Sequence, residues 1–370
     1  MKEEKEDKPS VGSHMLAVLL SLLDLEFLRQ NLEKFYAEKW RWKKFDCVAM
    51  LKLDIFRIFK RKNFTSVIKY LKANRQEASL LGFSDLPSDK TVWHWENVRI
   101  GGVGLKCLFL VCVRKIRFLL VPFGIDVGKH LGQDSTPIAS TREDPDARYN
   151  PHYEIRMHKC HILLDVELGL PLNFDNSDGV AYDGNYLLSL VEESEKNLET
   201  IGEDCVADGN YGSFENHANM NMRGMPLFIN PAAADVYHPE ANEDGMRREY
   251  QKFRGEDGWL PLDFISFRQI IEFLYLHGKL ELVGMFFRNL IMDIKDTIEF
   301  LTKYHRRSVN EGFHGVVKDN TGFGKMRVSG SRNLMVHNGI HLLAFLAVGP
   351  LFKIQHGVAT ELMSLGHLIV

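Results

Sequence analysis

The chain has 370 residues, 45% of them hydrophobic and 26% charged, with 12 prolines; these are ordinary globular values, and they exclude a wholly disordered or collagen-like chain. At roughly 100–200 residues per domain, the length predicts two or three domains. The net charge of −3 hides a division, because residues 1–130 carry 24 Lys and Arg against 15 Asp and Glu, a balance of +9, while the remainder stands at −12. Either the first half meets a polyanion such as nucleic acid, or the surface charge is simply uneven.

The first residues, MKEEKEDKPS, are too acidic for a secretion signal. Gly12-Ser13-His14-Met15 resembles a scar left by tag cleavage, so residues 1–14 are set apart as a tail. The apolar run at 16–23 is too short to span a membrane, and the longer run at 105–121 is broken by Lys106, Arg114, Lys115 and Arg117. Residues 15–127 read as a helical region. Phe64-Thr65 marks a helix start with Thr65 as a cap, a glycine-containing turn follows at 81–88, and Ser88 or Asp89 caps a helix through Trp95. Helix, turn and capped helix have a helix-turn-helix shape, which many helical bundles share. The run Lys60-Arg61-Lys62 is either a solvated helix end or a DNA contact. Trp93 and Trp95 are read as core residues rather than base readers.

From about residue 128 the pattern changes to strands. His130–Ile138 forms one, Cys160–Leu168 a second, Gly169 turns the chain, and Leu170–Phe174 starts the return. Residues 183–201 have helical spacing, Asp204–Asp208 is a short strand, Ser213–Met222 a weak helix and Pro226–Ile229 a buried strand. This order predicts a mixed sheet with covering helices. Residues 231–260 are polar and read as an insertion or loop. Helices broken at Gly278 and Gly284 follow to about Lys318, then a glycine-rich stretch at 320–324 and a last apolar helix over roughly Asn333–Val348. The five cysteines form no CxxC pair, which argues against a zinc ribbon or a disulfide framework and fits a reducing cytoplasm.

The most informative spacing is Tyr304-x2-Arg307-x3-Glu311-x6-Lys318. On an ideal helix these four fall within a stripe of about 60°. Such a stripe is either an exposed ion-pair ladder or a metal-binding carboxylate with cations placed for phosphates. Asp134, in GQDST, lies on the first strand, and Asp208, in ADGNYG, closes a later one. An Asp before a glycine can be a turn former. Two strand aspartates and a helix glutamate can also converge on two hard cations that activate a water or a 3′-hydroxyl. Other candidates are weaker. His158 and Cys160 share one face of a strand while His161 points to the other, so a zinc site there is disfavoured, and His161 is read as a supporting group near the first aspartate's strand. Asp165, Asp175 and Asp178 read as solvated strand and turn residues. Asp293 lies 18 residues before Glu311, about 27 Å along a helix, too far to share a metal. Trp259 is a base-stacking candidate that reads better as packing.

On the residues Asp134 in DST, Asp208 in ADGNYGS and the full Tyr304–Lys318 spacing, the chain resembles the DDE transposases of bacterial and archaeal insertion sequences, in the branch carrying the Tyr-Arg-Glu-Lys signature. The segment Asp144-Pro145-Asp146-Ala147-Arg148-Tyr149 with Lys159-Cys160-His161, and residues 80–95, are also similar to that family. The resemblance implies an α/β protein. Its RNase H-like mixed sheet with covering helices would occupy 128–325 with an insertion at about 231–290, preceded by a helical DNA-binding region at 15–127 and followed by a C-terminal helical segment at 326–370. It implies catalysis and metal binding by Asp134, Asp208 and Glu311 with two Mg²⁺ (or Mn²⁺) ions, and end-phosphate contacts by Arg307 and Lys318 with Tyr304 packed beside them. The partner it implies is double-stranded DNA, as transposon inverted-repeat ends and target, bound by a homodimer in a prokaryotic cytoplasm near the nucleoid, with no membrane. Gly312 and Gly315 depart from a strong helix former beside Glu311. A transposase-derived DNA-binding protein without cleavage activity, and an RNase H-like nuclease that never joins strands, remain alternatives.

Overall fold

The computed structural model describes residues 11–36, 44–230, 239–253, 266–324 and 327–365. Six strands make one sheet: β1 His130–Ala139, β2 Arg148–Asn150, β3 Ile155–Asp165, β4 Leu170–Asp178, β5 Asp204–Ala207 and β6 Leu227–Phe228. The main strands lie in the spatial order β4-β3-β1-β5-β6, with β2 alongside the start of β3. β3 runs antiparallel to both β1 and β4, whereas β5 and β6 run parallel to β1. The strands predicted at 130–138, 170–174, 204–208 and 226–229 are all present. The second strand begins earlier than expected and ends at Asp165. This aspartate is buried rather than solvated, and its side chain accepts hydrogen bonds from the amides of Gly128, Glu167 and Leu168. Gly169 turns the hairpin at a φ of 63°, a left-handed conformation that favours glycine.

Ahead of the sheet come α1 Val11–Leu22, α2 Arg29–Glu33, α3 Cys47–Phe59, α4 Phe64–Ala73, α5 Arg75–Leu80, α6 Asp89–His94 and α7 Gly101–Leu120. The first of these begins inside the segment set apart as a tail, and its Leu16 and Ala17 are fully buried. Asn63, not Thr65, caps α4 by accepting from the Ser66 amide, while the Thr65 hydroxyl donates to Asp89. Ser88 caps α6 as expected. Trp95 is buried, but Trp93 is 49% exposed and does not belong to the core.

After the sheet strands come α8 Leu187–Leu198, α9 Phe214–Met222, α10 Pro239–Phe253, α11 Phe267–Leu276, α12 Leu280–Ile294, α13 Ile298–Tyr304, α14 Ser308–Thr321, α15 Ser331–Leu346 and α16 Phe352–Gln355. Part of the stretch read as a polar loop is therefore helical, because Met246 and Tyr250 on α10 give it an apolar face against Ile270, Ile271 and Leu274. Trp259 lies outside the described residues. The chain does break at Gly278, but α12 runs straight through Gly284; the next break lies between Ile294 and Ile298, and a 3₁₀ turn follows at His305–Arg307.

One hydrophobic cluster runs from Leu16 to Leu365 and joins the early helices to the sheet through α15. Ser331–Gln355 is long and apolar enough to cross a membrane, yet its surface is mostly buried inside the protein. Glycine allows the close contacts: a Cβ at Gly102 would lie 2.3 Å from Met335 on α15, and one at Gly339 would lie 2.7 Å from Leu105 on α7.

The tightest such approach holds the insertion to the sheet layer. A Cβ at Gly284 would lie 1.7 Å from the Phe214 carbonyl oxygen on α9. Gly284→Ala is expected to lower the unfolding free energy by about 1–3 kcal/mol or more, the cost of forcing bulk into a packed contact. Gly315→Ala is the control: nothing lies within 4 Å of that position, so it should gain up to about 1 kcal/mol of helix propensity. Urea denaturation of the two variants checks the pair.

Candidate active site

Register decides where the two strand aspartates stand. β1 and β5 pair in parallel with Gln133 opposite Ala207. Asp134 follows Gln133 midway along β1 and Asp208 follows Ala207 just past the end of β5, so the two aspartates stand beside each other where β5 stops. Asp134 accepts from the Ser135 amide at 2.8 Å. Asp208 caps the 3₁₀ turn Gly209–Tyr211 and accepts from the Asn210 amide at 2.8 Å. It is thus the turn former that the sequence allowed and, at the same time, a neighbour of Asp134.

The helix bearing Glu311 reaches this strand end because α14 lies against β1. A Cβ at Gly132 would sit 2.8 Å from Asn310 Oδ1, so only glycine lets Asn310 seat there. Four residues on, His314 Nε2 lies 3.6 Å from Asp134 Oδ2. Half-buried Lys318 also feels Asp134: burial lowers the lysine pKa and the carboxylate partly opposes that shift. Glu311, His314 and Lys318 share one stripe of α14 within about 60°. The helix continues unbroken through Gly312 and Gly315.

Glu311 itself is not turned to the aspartates. Its side chain is 61% exposed, and its Oε1 accepts from Arg307 Nη2 at 2.7 Å. Among the described residues, no three His, Cys, Asp or Glu groups are clustered closely enough to hold a metal. The 3₁₀ turn at His305–Arg307 rotates about 120° per residue instead of 100°, which keeps Tyr304, Arg307, Glu311 and Lys318 within about 40° of one another. Tyr304 stacks on Phe300 with ring centroids 5.6 Å apart and packs in a small cluster with Val206 and Phe228.

A model of the transposase DDE domain matches residues 130–347. The chain belongs to that family. No curated protein matches it. Among solved structures, a piggyBac transposase synaptic complex with hairpin DNA is similar at 11% identity and a TM-score of 0.33, over 94% of this chain and 82% of that one. The chain is accordingly a DDE transposase, an enzyme acting on DNA, of a family that uses divalent metal ions.

The electrostatics around the aspartate pair fit such an ion. Burial raises the Asp208 pKa, the Asp134 and Asp183 carboxylates raise it further, and Arg307 opposes them. Crowded carboxylates that disfavour each other's charge are what a hard dication relieves. Asp183, which sequence reading passed over, is buried and bound by Lys159 Nζ at 2.8 Å, with His161 Nδ1 at 3.7 Å. Burial and Lys159 push the His161 pKa down to about 3, so this histidine is neutral and supports the site from β3. Alternation along the strand carried that signal, since Lys159 and His161 share a face.

His158 and Cys160 form no metal site. His158 Nε2 bonds Asp144 Oδ2 at 2.8 Å, and Cys160 is buried among apolar residues. Asp175 and Asp178 accept from nearby backbone amides, as turn residues do. Asp293 is exposed on α12.

Asp144, from the segment after the first aspartate, is fully enclosed. Besides His158 it accepts from the Ser140 hydroxyl at 2.5 Å and the amides of Gly330 at 2.8 Å and Asp146 at 2.9 Å. These donors outweigh burial and hold its pKa below the usual carboxylate range. The carboxylate thereby ties the β1–β3 connection to the start of α15. Asp144→Ala is expected to cost about 2–3 kcal/mol at pH 7, as it strands buried donors. A depressed folded pKa gives stability above the unfolded value of about 4 that is lost as pH falls. The penalty should therefore shrink below about pH 4, which thermal unfolding at pH 7 and pH 3 checks.

Proposed function

We propose that this transposase moves an insertion sequence by metal-dependent cleavage and strand transfer, with Asp134, Asp208 and Glu311 as its carboxylate triad in an RNase H-like domain. The observation that carries the reading is the pairing of Gln133 with Ala207, which sets Asp134, midway along β1, beside Asp208, the residue after β5. The strand order β4-β3-β1-β5-β6 with β3 reversed supports the fold assignment.

Asp134 and Asp208 would hold the cation. Glu311 would join them after leaving Arg307, with which it is paired here. Arg307 and Lys318 are the cations at the mouth of the site, and DNA end phosphates are their natural counter-charges: the guanidinium binds as a fork, the ammonium as a point charge. A phosphate that takes Arg307 releases Glu311. A bound divalent ion would make a water or a 3′-hydroxyl nucleophilic and stabilise the leaving oxygen. The basic helical region supplies further phosphate contacts, with a binding strength that falls steeply with salt. The homodimer and the nucleoid location belong to the same reading.

Cleavage of a plasmid carrying the coding region with its native flanking DNA, in Mg²⁺ or Mn²⁺, tests the proposal. Asp134→Asn, Asp208→Asn and Glu311→Gln are each expected to lower cleavage by about 10²–10³ or more while DNA retention persists. Near-normal cleavage by any one removes that residue from the triad. Joined products separate a transposase from a nuclease that only hydrolyses. Arg307→Gln and Lys318→Ala are expected to weaken DNA retention or slow cleavage. Their stability should change by less than about 1 kcal/mol, since both sit on partly exposed faces. Unchanged activity in both variants would reduce the stripe to an ion-pair ladder.

A further inference from the structure

The buried polar side chains behind the aspartates have no role in the triad itself. Among them, His314 stands out by position. Its side chain is only 10% exposed, and neither ring nitrogen has a hydrogen-bond partner. Its Nε2 is nonetheless aimed at Asp134, 3.6 Å from Oδ2. Asn310, one turn earlier on α14, is fully buried with both amide atoms unpartnered, and it is seated on Gly132. Leaving such groups unpaired costs free energy, so a histidine retained here needs a compensating use.

We propose that His314 is a positioning residue: its Nε2–H donates to Asp134 Oδ2 when the site assembles, fixing the carboxylate and locking the glutamate helix against β1. The inference rests on the reading of Asp134 as a metal ligand. Asp134 Oδ1 is already held by the Ser135 amide. A donor on Oδ2 holds the second oxygen, so the carboxylate plane is set and the remaining lone pairs face outward. Because His314 lies three residues after Glu311, the same bond sets where Glu311 stands relative to Asp134. Groups that hold a ligand in this way typically contribute 10–100-fold to metal affinity.

The test is Mn²⁺ affinity of the full chain without DNA, read from the electron paramagnetic resonance of free Mn²⁺, alongside melting temperature and plasmid cleavage. His314→Leu removes the donor and keeps an apolar side chain in the space. His314→Gln restores a donor at the reach of Nε2. The expected result is Mn²⁺ binding about 10-fold or more weaker in His314→Leu, substantially recovered in His314→Gln, with the two melting within a few degrees of each other. A purely structural histidine gives the other pattern: metal affinity unchanged in both variants, or lost equally in both alongside a large fall in melting temperature. Either result overturns the proposal. Asp134→Asn separates the two levels of the argument. If it abolishes Mn²⁺ binding while His314→Leu does not weaken it, only the positioning role falls. If Asp134→Asn binds Mn²⁺ normally, the metal site falls, and this role with it.

Discussion

The absence of a side chain at position 132 lets α14 meet the sheet closely. β1 carries Asp134, α14 carries Glu311, and the two elements touch where Asn310 rests on Gly132. Val166 presses on the same glycine, 2.3 Å from where a Cβ would stand. A larger residue there would have to displace the Val166 side chain, the Asn310 amide or both.

Charge is the second constraint. Asp134, Asp183 and Asp208 lie close enough that each raises the pKa of Tyr211, whose burial dominates that shift. Positive groups surround them: Lys159 on Asp183, Lys318 near Asp134, and Arg307 between Asp208 and Glu311. These cations offset part of the carboxylate charge, and Glu311 is paired with Arg307.

The helical region shares its core with the sheet instead of hanging from it. α15 packs along α7 and touches α3, and the Arg61 side chain reaches the Asp319 carbonyl on α14. Inside the helical region, Arg57 pairs with Glu96 while Asp54 lies buried beside them, its pKa pushed well up by burial and by Glu96. A buried arrangement of this kind is weak in net stability but costly to misassemble.

The sequence by itself determined the element order, the mixed sheet and the three carboxylate motifs, because strand density, caps and fixed spacings are local properties. It placed breaks at glycines and so misread Gly284, where glycine serves a contact with Phe214 from a distant part of the chain. The stripe from Tyr304 to Lys318 assumed one continuous α-helix, and only the structure revealed the 3₁₀ turn within it and the apolar packing of Tyr304 on Phe300. His314, Asn310 and Asp183 were on the page as ordinary residues. What distinguishes them is burial and the approach of other strands and helices, and neither can be read from neighbours in the chain. Tertiary structure alone decided that Asp134 and Asp208 stand side by side, since the β1–β5 register joins segments some seventy residues apart, and that Glu311 pairs with Arg307 instead of turning to them.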